Sequence, residues 1–319
     1  MNLTKNLKNS TSVTEFLLLG LGNLKGLEFL FFLLFLVIYM VTMVGNILII
    51  VLVVFDHSLH TPMYFFLGNL SCLEICYSSS IVPKMLAGLL HQSTTISIAG
   101  CMTQYYFFGF LAVTECYLLA AMSYDRYVAI CKPLLYLTLM DSKVCFQLAA
   151  GSWLNGLMVV NLTIYLMQQL TFCGPNTIDH FFCDYRPLLK LSCSDTYMME
   201  LITTFLAGLC SLPPFVLTLA SYGYIILAIL RIPSNVGRQK AFSTCSSHLI
   251  VVSVFYGTII IVYLIPKTEV LSNANKIFSL FYIILTPLLN PIIYSLRNKE
   301  VKNALRRAIL KFFVYKSVV

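Results

Sequence analysis

The sequence predicts an all-α membrane protein: a bundle of seven transmembrane helices followed by a short amphipathic helix. Its 319 residues are 59% hydrophobic and 11% charged. A soluble domain usually carries about twice that charge, so lipid must be the main solvent and the whole length reads as one membrane domain. Seven apolar stretches are long enough to cross the hydrocarbon core, which takes about 20 residues of helix. The last segment instead sets apolar residues at helical spacing among bases.

Residues 1–28 are expected to lie outside the cell. They begin MNLTKNLKNSTSVTEF, without the basic start and apolar run of a cleavable signal peptide, so the first span is expected to act as the export signal. Two sequons, Asn2-Leu3-Thr4 and Asn9-Ser10-Thr11, point to glycosylation at Asn2 and Asn9.

Residues 29–296 form the spanning domain. Phe29 to Phe55 has no charge, Thr61 to Val82 has Glu74, and Ile96 to Tyr124 has Glu115. Val144 to Leu170 and Leu201 to Leu230 are uncharged, Ala241 to Pro266 holds only His248, and Ile277 to Leu296 is uncharged. A transmembrane barrel would show short alternating segments instead. Residues 297–319 are the tail, where Val301, Leu305, Ile309 and Phe312 share a helical face. Such a helix lies on an anionic inner leaflet, which makes membrane lipid an expected partner.

The net charge of +8 would suggest nucleic acid in a soluble protein. Here the bases cluster at span ends, so membrane topology explains them and no nucleic-acid partner is expected. With the N-terminus outside, 13 of the 21 Lys and Arg residues fall in inner loops and tail. The expected location is the cell membrane, crossed several times.

Of the 11 cysteines, Cys72, Cys76, Cys116, Cys131, Cys145, Cys210 and Cys245 lie in or near helices and read as small buried hydrophobes. Cys101, Cys173, Cys183 and Cys193 fall on the oxidising outer side, where four cysteines allow three pairings. A bridge from Cys101, at the start of helix three, would draw the long outer loop over the bundle mouth. His180 and Cys183 are a conceivable metal pair, with a disulfide the competing fate of the sulfur.

An ionisable group within a span usually marks function. Glu115 lies about 16 Å along helix three from Arg126, and Glu74 about 20 Å from the inner start of helix two, so the two acids have similar depth. Facing each other, they share a proton or hold a cation, sodium being the candidate; alternatively each is protonated and bonded to neighbours such as Asn46 or Asn290. Asp125-Arg126-Tyr127 at the inner end of helix three reads as a latch, with Arg126 held by Asp125 at rest and released to meet a partner. Pro291 removes a helical hydrogen bond near the inner end of span seven and makes a hinge there, with Asn290 beside it to serve the freed polar groups.

Gly45-Asn46, Asp125-Arg126-Tyr127, Trp153 and Asn290-Pro291-Ile292-Ile293-Tyr294 together resemble the rhodopsin-like G-protein-coupled receptors. LHTPMYFFLGNLSCLE (Leu59–Glu74), MSYDRYVAIC (Met122–Cys131), Ser221-Tyr222, KAFSTCSSHL (Lys240–Leu249) and PLLNPIIYSLRN (Pro287–Asn298) are similar to the olfactory receptors, in their tetrapod-type subgroup. The resemblance covers nearly the whole chain. It implies disulfides from Cys101 to Cys183 and from Cys173 to Cys193, and a ligand pocket among helices three, five, six and seven. It implies coupling to a stimulatory, olfactory-type heterotrimeric G protein that raises cyclic AMP. It adds Tyr222, His248 and Tyr294 to Arg126 in the activation switch. Two departures are Glu74, where the family more often has Asp, and Ser123, where Ala is usual.

Helical spacing places Phe108, Gly109, Ala112 and Val113 on the outer half of helix three. By analogy with the family, Leu206, Cys210, Tyr256, Ile259, Tyr263 and Ile283 face them. The set would line a small, mostly apolar pocket with a few hydroxyls, suited to volatile organic odorants. Absences narrow the class further: an amine receptor needs an acid where Phe108 stands, and a retinal protein needs a lysine deep in helix seven. A transporter would show repeats or a polar path, and an enzyme a nucleophile with its base, so neither catalysis nor an organic cofactor is expected.

Overall fold

The computed structural model describes residues 13–22, 24, 26–91, 93–173, 175–264, 276–297 and 299–318. Within them the side chains of 240, 241, 243, 244, 247, 264, 294–297, 299 and 311–318 are not described. Asn2, Asn9, Gly174 and Pro266 therefore lie outside the described residues, as do the side chains of Tyr294 and Phe312.

Among the described residues, eight principal helices follow in order: α1 (Glu28–Phe55), α2 (Pro62–His91), α3 (Ile98–Cys131), α4 (Ser142–Met167), α5 (Tyr197–Leu230), α6 (Asn235–Ile259), α7 (Thr286–Arg297) and α8 (Lys299–Val318). A π-helical turn, Ile260–Leu264, extends α6, and another, Phe281–Leu285, leads into α7. Among the described residues, six helical segments are long and apolar enough to cross a membrane, the last being Lys276–Ile293. In α6 the described residues hold a further apolar run, His248–Tyr263. The chain is a multi-pass membrane protein. Its α1 exposes Phe29, Leu33, Val37, Val44 and Val51, a stripe that hydrocarbon solvates and water would not.

Three glycine and proline positions set how the helices meet. Pro291 has no N–H to give the carbonyl of Pro287, four residues earlier, and Asn46 Nδ2 of α1 donates to that carbonyl at 3.3 Å. Gly45 makes this approach possible, since a Cβ there would lie 2.8 Å from Pro291 Cβ. The Gly45-Asn46 pair and the proline hinge are thus one joint. Gly156 plays the same part between α4 and α3, where a Cβ would meet Thr114 Oγ1 at 2.3 Å and the Phe110 carbonyl at 2.6 Å. Trp153 Nε1 ties α4 to Asn69 of α2 at 3.1 Å.

One end of the bundle is capped by structure that the apolar pattern does not reveal. β1 (Glu15–Leu18) lies between β2 (Thr94–Ser97), antiparallel, and β3 (Thr177–Ile178), parallel. Its Phe16 and Leu18 are buried while Glu15 is exposed, the period-2 alternation of a half-covered strand. Ile96 and Ser97, expected to open the third span, belong to β2 instead, and Ser97 Oγ caps α3 by accepting from Gly100 N at 3.1 Å. The second helix runs past Val82 through Pro83 to His91, and the fourth stops at Met167, short of Leu170.

Disulfides Cys101–Cys183 and Cys173–Cys193, with Cα separations of 5.4 and 5.9 Å, fasten the long loop across this end. Gln104 of α3 locks loop to bundle: its Nε2 donates to the Ser80 carbonyl at 3.0 Å and its Oε1 accepts from Cys183 N at 2.9 Å. Below, "cap end" means this end and "Arg126 end" the other.

Candidate ligand cavity and switch residues

Beneath the cap a cavity of about 130 Å³ opens between α3, α4, α5 and α6. Eight of the ten residues expected to meet a ligand border it: Phe108, Gly109, Ala112, Val113, Leu206, Cys210, Ile259 and Tyr263. Tyr256 and Ile283 do not. Tyr256 sits one layer below, its hydroxyl donating to the Cys116 carbonyl at 2.7 Å and its ring packed on Phe215. Ile283 lies in the π turn before α7 and borders a different, much smaller space with Phe35, Ile38 and Ser78. A π turn carries an extra residue, which rotates the helix face. Tyr282 takes the inward position, its hydroxyl 3.2 Å from that of Tyr263 and its ring 5.9 Å from Phe108. That contact closes the side where helix seven was expected to contribute.

Helical spacing alone did not find α4 or the loop. Val159, Val160 and Thr163 form one wall, and Asp184, Tyr185 and Arg186 the roof. The valines carry no signal distinguishing a wall from a packing face. The roof follows from the disulfide, since Cys183 fixes the next three residues over the cavity. Tyr263 donates to Asp184 Oδ1 at 3.1 Å, and Arg186 donates to the carbonyls of Val262 and Tyr263 at 2.8 and 2.6 Å. The roof therefore grips the π turn of α6, whose wound-out carbonyls offer acceptors to it.

Toward the Arg126 end, buried polar groups replace the apolar wall. Glu74 and Glu115 are fully buried. Asn290 Nδ2 donates to Glu74 Oε1. Glu74 Oε2, both Glu115 oxygens, Ser71 Oγ and the side-chain oxygens of Asn46 and Asn290 have no hydrogen-bond partner among the described residues. A nest of unpartnered oxygens at this depth is costly unless it binds a proton, water or a cation.

Asp125 is fully buried and paired with the Arg126 guanidinium, whose Nε lies 2.9 Å from Asp125 Oδ2. Tyr136 donates to the other carboxylate oxygen at 2.9 Å. Burial first, then the Asp125 charge, push the Tyr136 phenol well above its usual range. The Tyr222 hydroxyl bonds His248 Nδ1 across α5 and α6. Tyr222 also belongs to a small apolar cluster with Ile225, Ile229 and Cys245, against which Tyr127 packs. Among the described residues, no group of three or more His, Cys, Asp or Glu could hold a metal, and Cys183, once paired with His180 as a conceivable ligand, is spent in its disulfide.

A family model described as "Olfactory receptor" matches residues 35–312. Olfactory receptor 10A7 of Homo sapiens is 51% identical over 302 residues, covering 95% of this chain and 96% of that one. Olfactory receptor 10C1 of Homo sapiens is 53% identical over 303 residues, covering 95% and 97%. Olfactory receptor 6B9 of Mus musculus is 48% identical over 303 residues, covering 95% and 96%. The chain belongs to the olfactory receptor family. It is a G-protein-coupled signalling receptor for odorants and not an enzyme. In this olfactory receptor the cavity under the cap and the Asp125-Arg126 pair are both carried by one helix, α3.

Proposed function

We propose that this receptor binds small volatile organic molecules in the cavity under the cap, with the cap end outside the cell, and activates a stimulatory, olfactory-type G protein that raises cyclic AMP. The observation that carries the reading is the cavity wall: Ala112, Val113, Val160 and Ile259 offer apolar surface, and Thr163, Thr203, Ser211 and Tyr263 a few hydroxyls. Burial of a carbon skeleton plus one or two hydrogen bonds is the chemistry such a wall rewards. Arg126, Tyr127, Tyr222, His248 and the Asn290-Pro291 hinge transmit the signal, with Tyr294 beyond it. Glycans at Asn2 and Asn9 and an inner leaflet under α8 complete the arrangement.

The buried oxygens of Glu74, Glu115, Ser71 and Asn46 suit a hard cation such as sodium. Bound there, it would balance one carboxylate, the other keeping its proton, and hold α1, α2 and α3 together. Replacing both acids, Glu74→Gln with Glu115→Gln, is expected to remove any sodium dependence of agonist potency; dependence persisting in the double variant would end the cation reading.

The deciding experiment co-expresses the receptor with an olfactory-type G protein and measures cyclic AMP against a panel of odorants. A response lost in Tyr263→Ala, at equal surface expression, supports the reading. Silence across the panel, or a response indifferent to every cavity substitution, overturns it.

A further inference from the structure

The cap holds a second cavity, which the odorant reading does not use. It measures about 150 Å³ and is bordered by Thr177, Asp179, His180 and Lys190 of the loop and by Lys276. It shares Asp184 and Arg186 with the cavity below.

The acids and bases of its wall are not equally satisfied. Asp179 is paired with Lys276, and Asp184 accepts from the Tyr263 hydroxyl at 3.1 Å and from Tyr185 N at 2.8 Å. Arg186 and Lys190 differ. Among the described residues, no carboxylate forms an ion pair with either of them. A guanidinium cannot shed its proton, and it has more N–H donors than the two that Arg186 gives to the Val262 and Tyr263 carbonyls. The Lys190 ammonium adds further donors. The open chemistry of the space is therefore that of an anion site.

The same wall offers Ile178, Pro187, Leu191 and Val262 as apolar surface. A space of this volume matches about five waters, or one carboxylic acid of about that many heavy atoms. An inorganic anion would leave the apolar part uncovered, whereas a short alkyl chain covers it.

We propose that this second cavity binds a small organic carboxylate, its anionic group on Arg186 and Lys190 and its chain against Ile178, Pro187 and Leu191, and that the bound anion strengthens ligand binding in the cavity below. The coupling runs through Arg186. Its bonds to Val262 and Tyr263 hold the roof on the lower cavity, and an anion on its remaining donors keeps the guanidinium in that position. Both ligands favour the same closed roof, so each raises the other's affinity. The coupling rests on the lower cavity being the odorant site; the carboxylate site does not.

Sodium butyrate is the probe, and butyramide, of the same shape but uncharged, is its control. Purified receptor in lipid nanodiscs is titrated with each by calorimetry. Butyrate is expected to bind saturably and butyramide not to. Lys190→Gln is expected to weaken butyrate binding about tenfold, the loss of one charge-assisted contact, and Lys190→Arg to retain it. Ala112→Phe, which fills the lower cavity, is expected to leave butyrate binding unchanged. In the cyclic AMP assay, saturating butyrate is expected to lower the agonist concentration for half-response by about fivefold, and not to do so in Lys190→Gln. An absence of saturable butyrate binding, equal binding of butyramide, or binding lost in Ala112→Phe but kept in Lys190→Gln would overturn the site. Butyrate binding with no change in agonist potency would overturn the coupling alone. A receptor silent to the whole odorant panel would overturn the odorant reading and the coupling with it, while the calorimetry still decides the carboxylate site.

Discussion

The cap end and the Arg126 end of this receptor are built on different principles. The cap end is fixed by two disulfides, by a three-stranded sheet and by Gln104 bonded to both helix and loop. The Arg126 end is joined by non-covalent contacts between side chains, among them Arg126 with Asp125, Tyr136 with Asp125, Tyr222 with His248, and Arg307 with Asp56. Redundant fastening lets wall residues of the cavity vary without loss of the fold. Non-covalent fastening lets the other end rearrange when one contact is traded for another. On the proposed reading, recognition sits where the protein is stiff, and signalling where contacts between side chains can be exchanged.

The sharpest trial of this contrast is Arg126→Ala. Signalling in the cyclic AMP assay is expected to fall to background while surface expression stays near wild type; a normal response would refute the latch. Cys101→Ser should do the reverse. It opens a bridge between residues 82 apart in sequence, at a cost of about 2–5 kcal/mol, so surface staining itself should collapse. A Cys101→Ser receptor that reached the surface and signalled normally would break the comparison.

Smaller effects refine it. Gly156→Ala drives a Cβ into Thr114 and Phe110, and overpacking of this kind costs about 1–3 kcal/mol; a thermal-shift assay in detergent should show a lowered midpoint. Tyr222→Phe removes one partner from buried His248, a loss of about 1 kcal/mol, visible as a smaller drop in the same assay.

The least is expected from pH. Ser58 first, then Arg307, lower the Asp56 carboxyl from 3.8 to about 2. A depressed carboxylate holds its partner at all pH values above its unfolded pKa and loses it as pH falls through the folded one. The Asp56–Arg307 clip on α8 should therefore persist above about pH 4 and release toward about pH 2. A spin label on α8 in lipid nanodiscs would report this as increased mobility, and Asp56→Asn should reproduce the released state at pH 7.

Most of the helical frame was legible in the sequence because lipid imposes one loud rule, a long uncharged run for each crossing. Glu74 and Glu115 stood out for the same reason, as exceptions to it. The sheet was silent, since β1 is only four residues long and its two partner strands lie far off in the chain. The α3 side of the cavity followed from helical spacing. The α4 wall did not, because Val159 and Val160 look like any packed valines. Tyr282 and Ile283 exchanged places because a π turn shifts the face of a helix without leaving a mark in composition. The disulfide pairing came from family resemblance, as spacing alone left three choices open.

The central position of β1 bears on how the receptor is made. Residues 15–18 are synthesised before any helix, yet their parallel partner, Thr177–Ile178, follows α4. The first strand must wait, with one edge unpaired, while four crossings are threaded into the membrane. Chains that stall in that interval display a sticky edge, so retention by folding machinery during biogenesis is the expected fate of slow variants of the early helices, whatever their effect on the finished receptor.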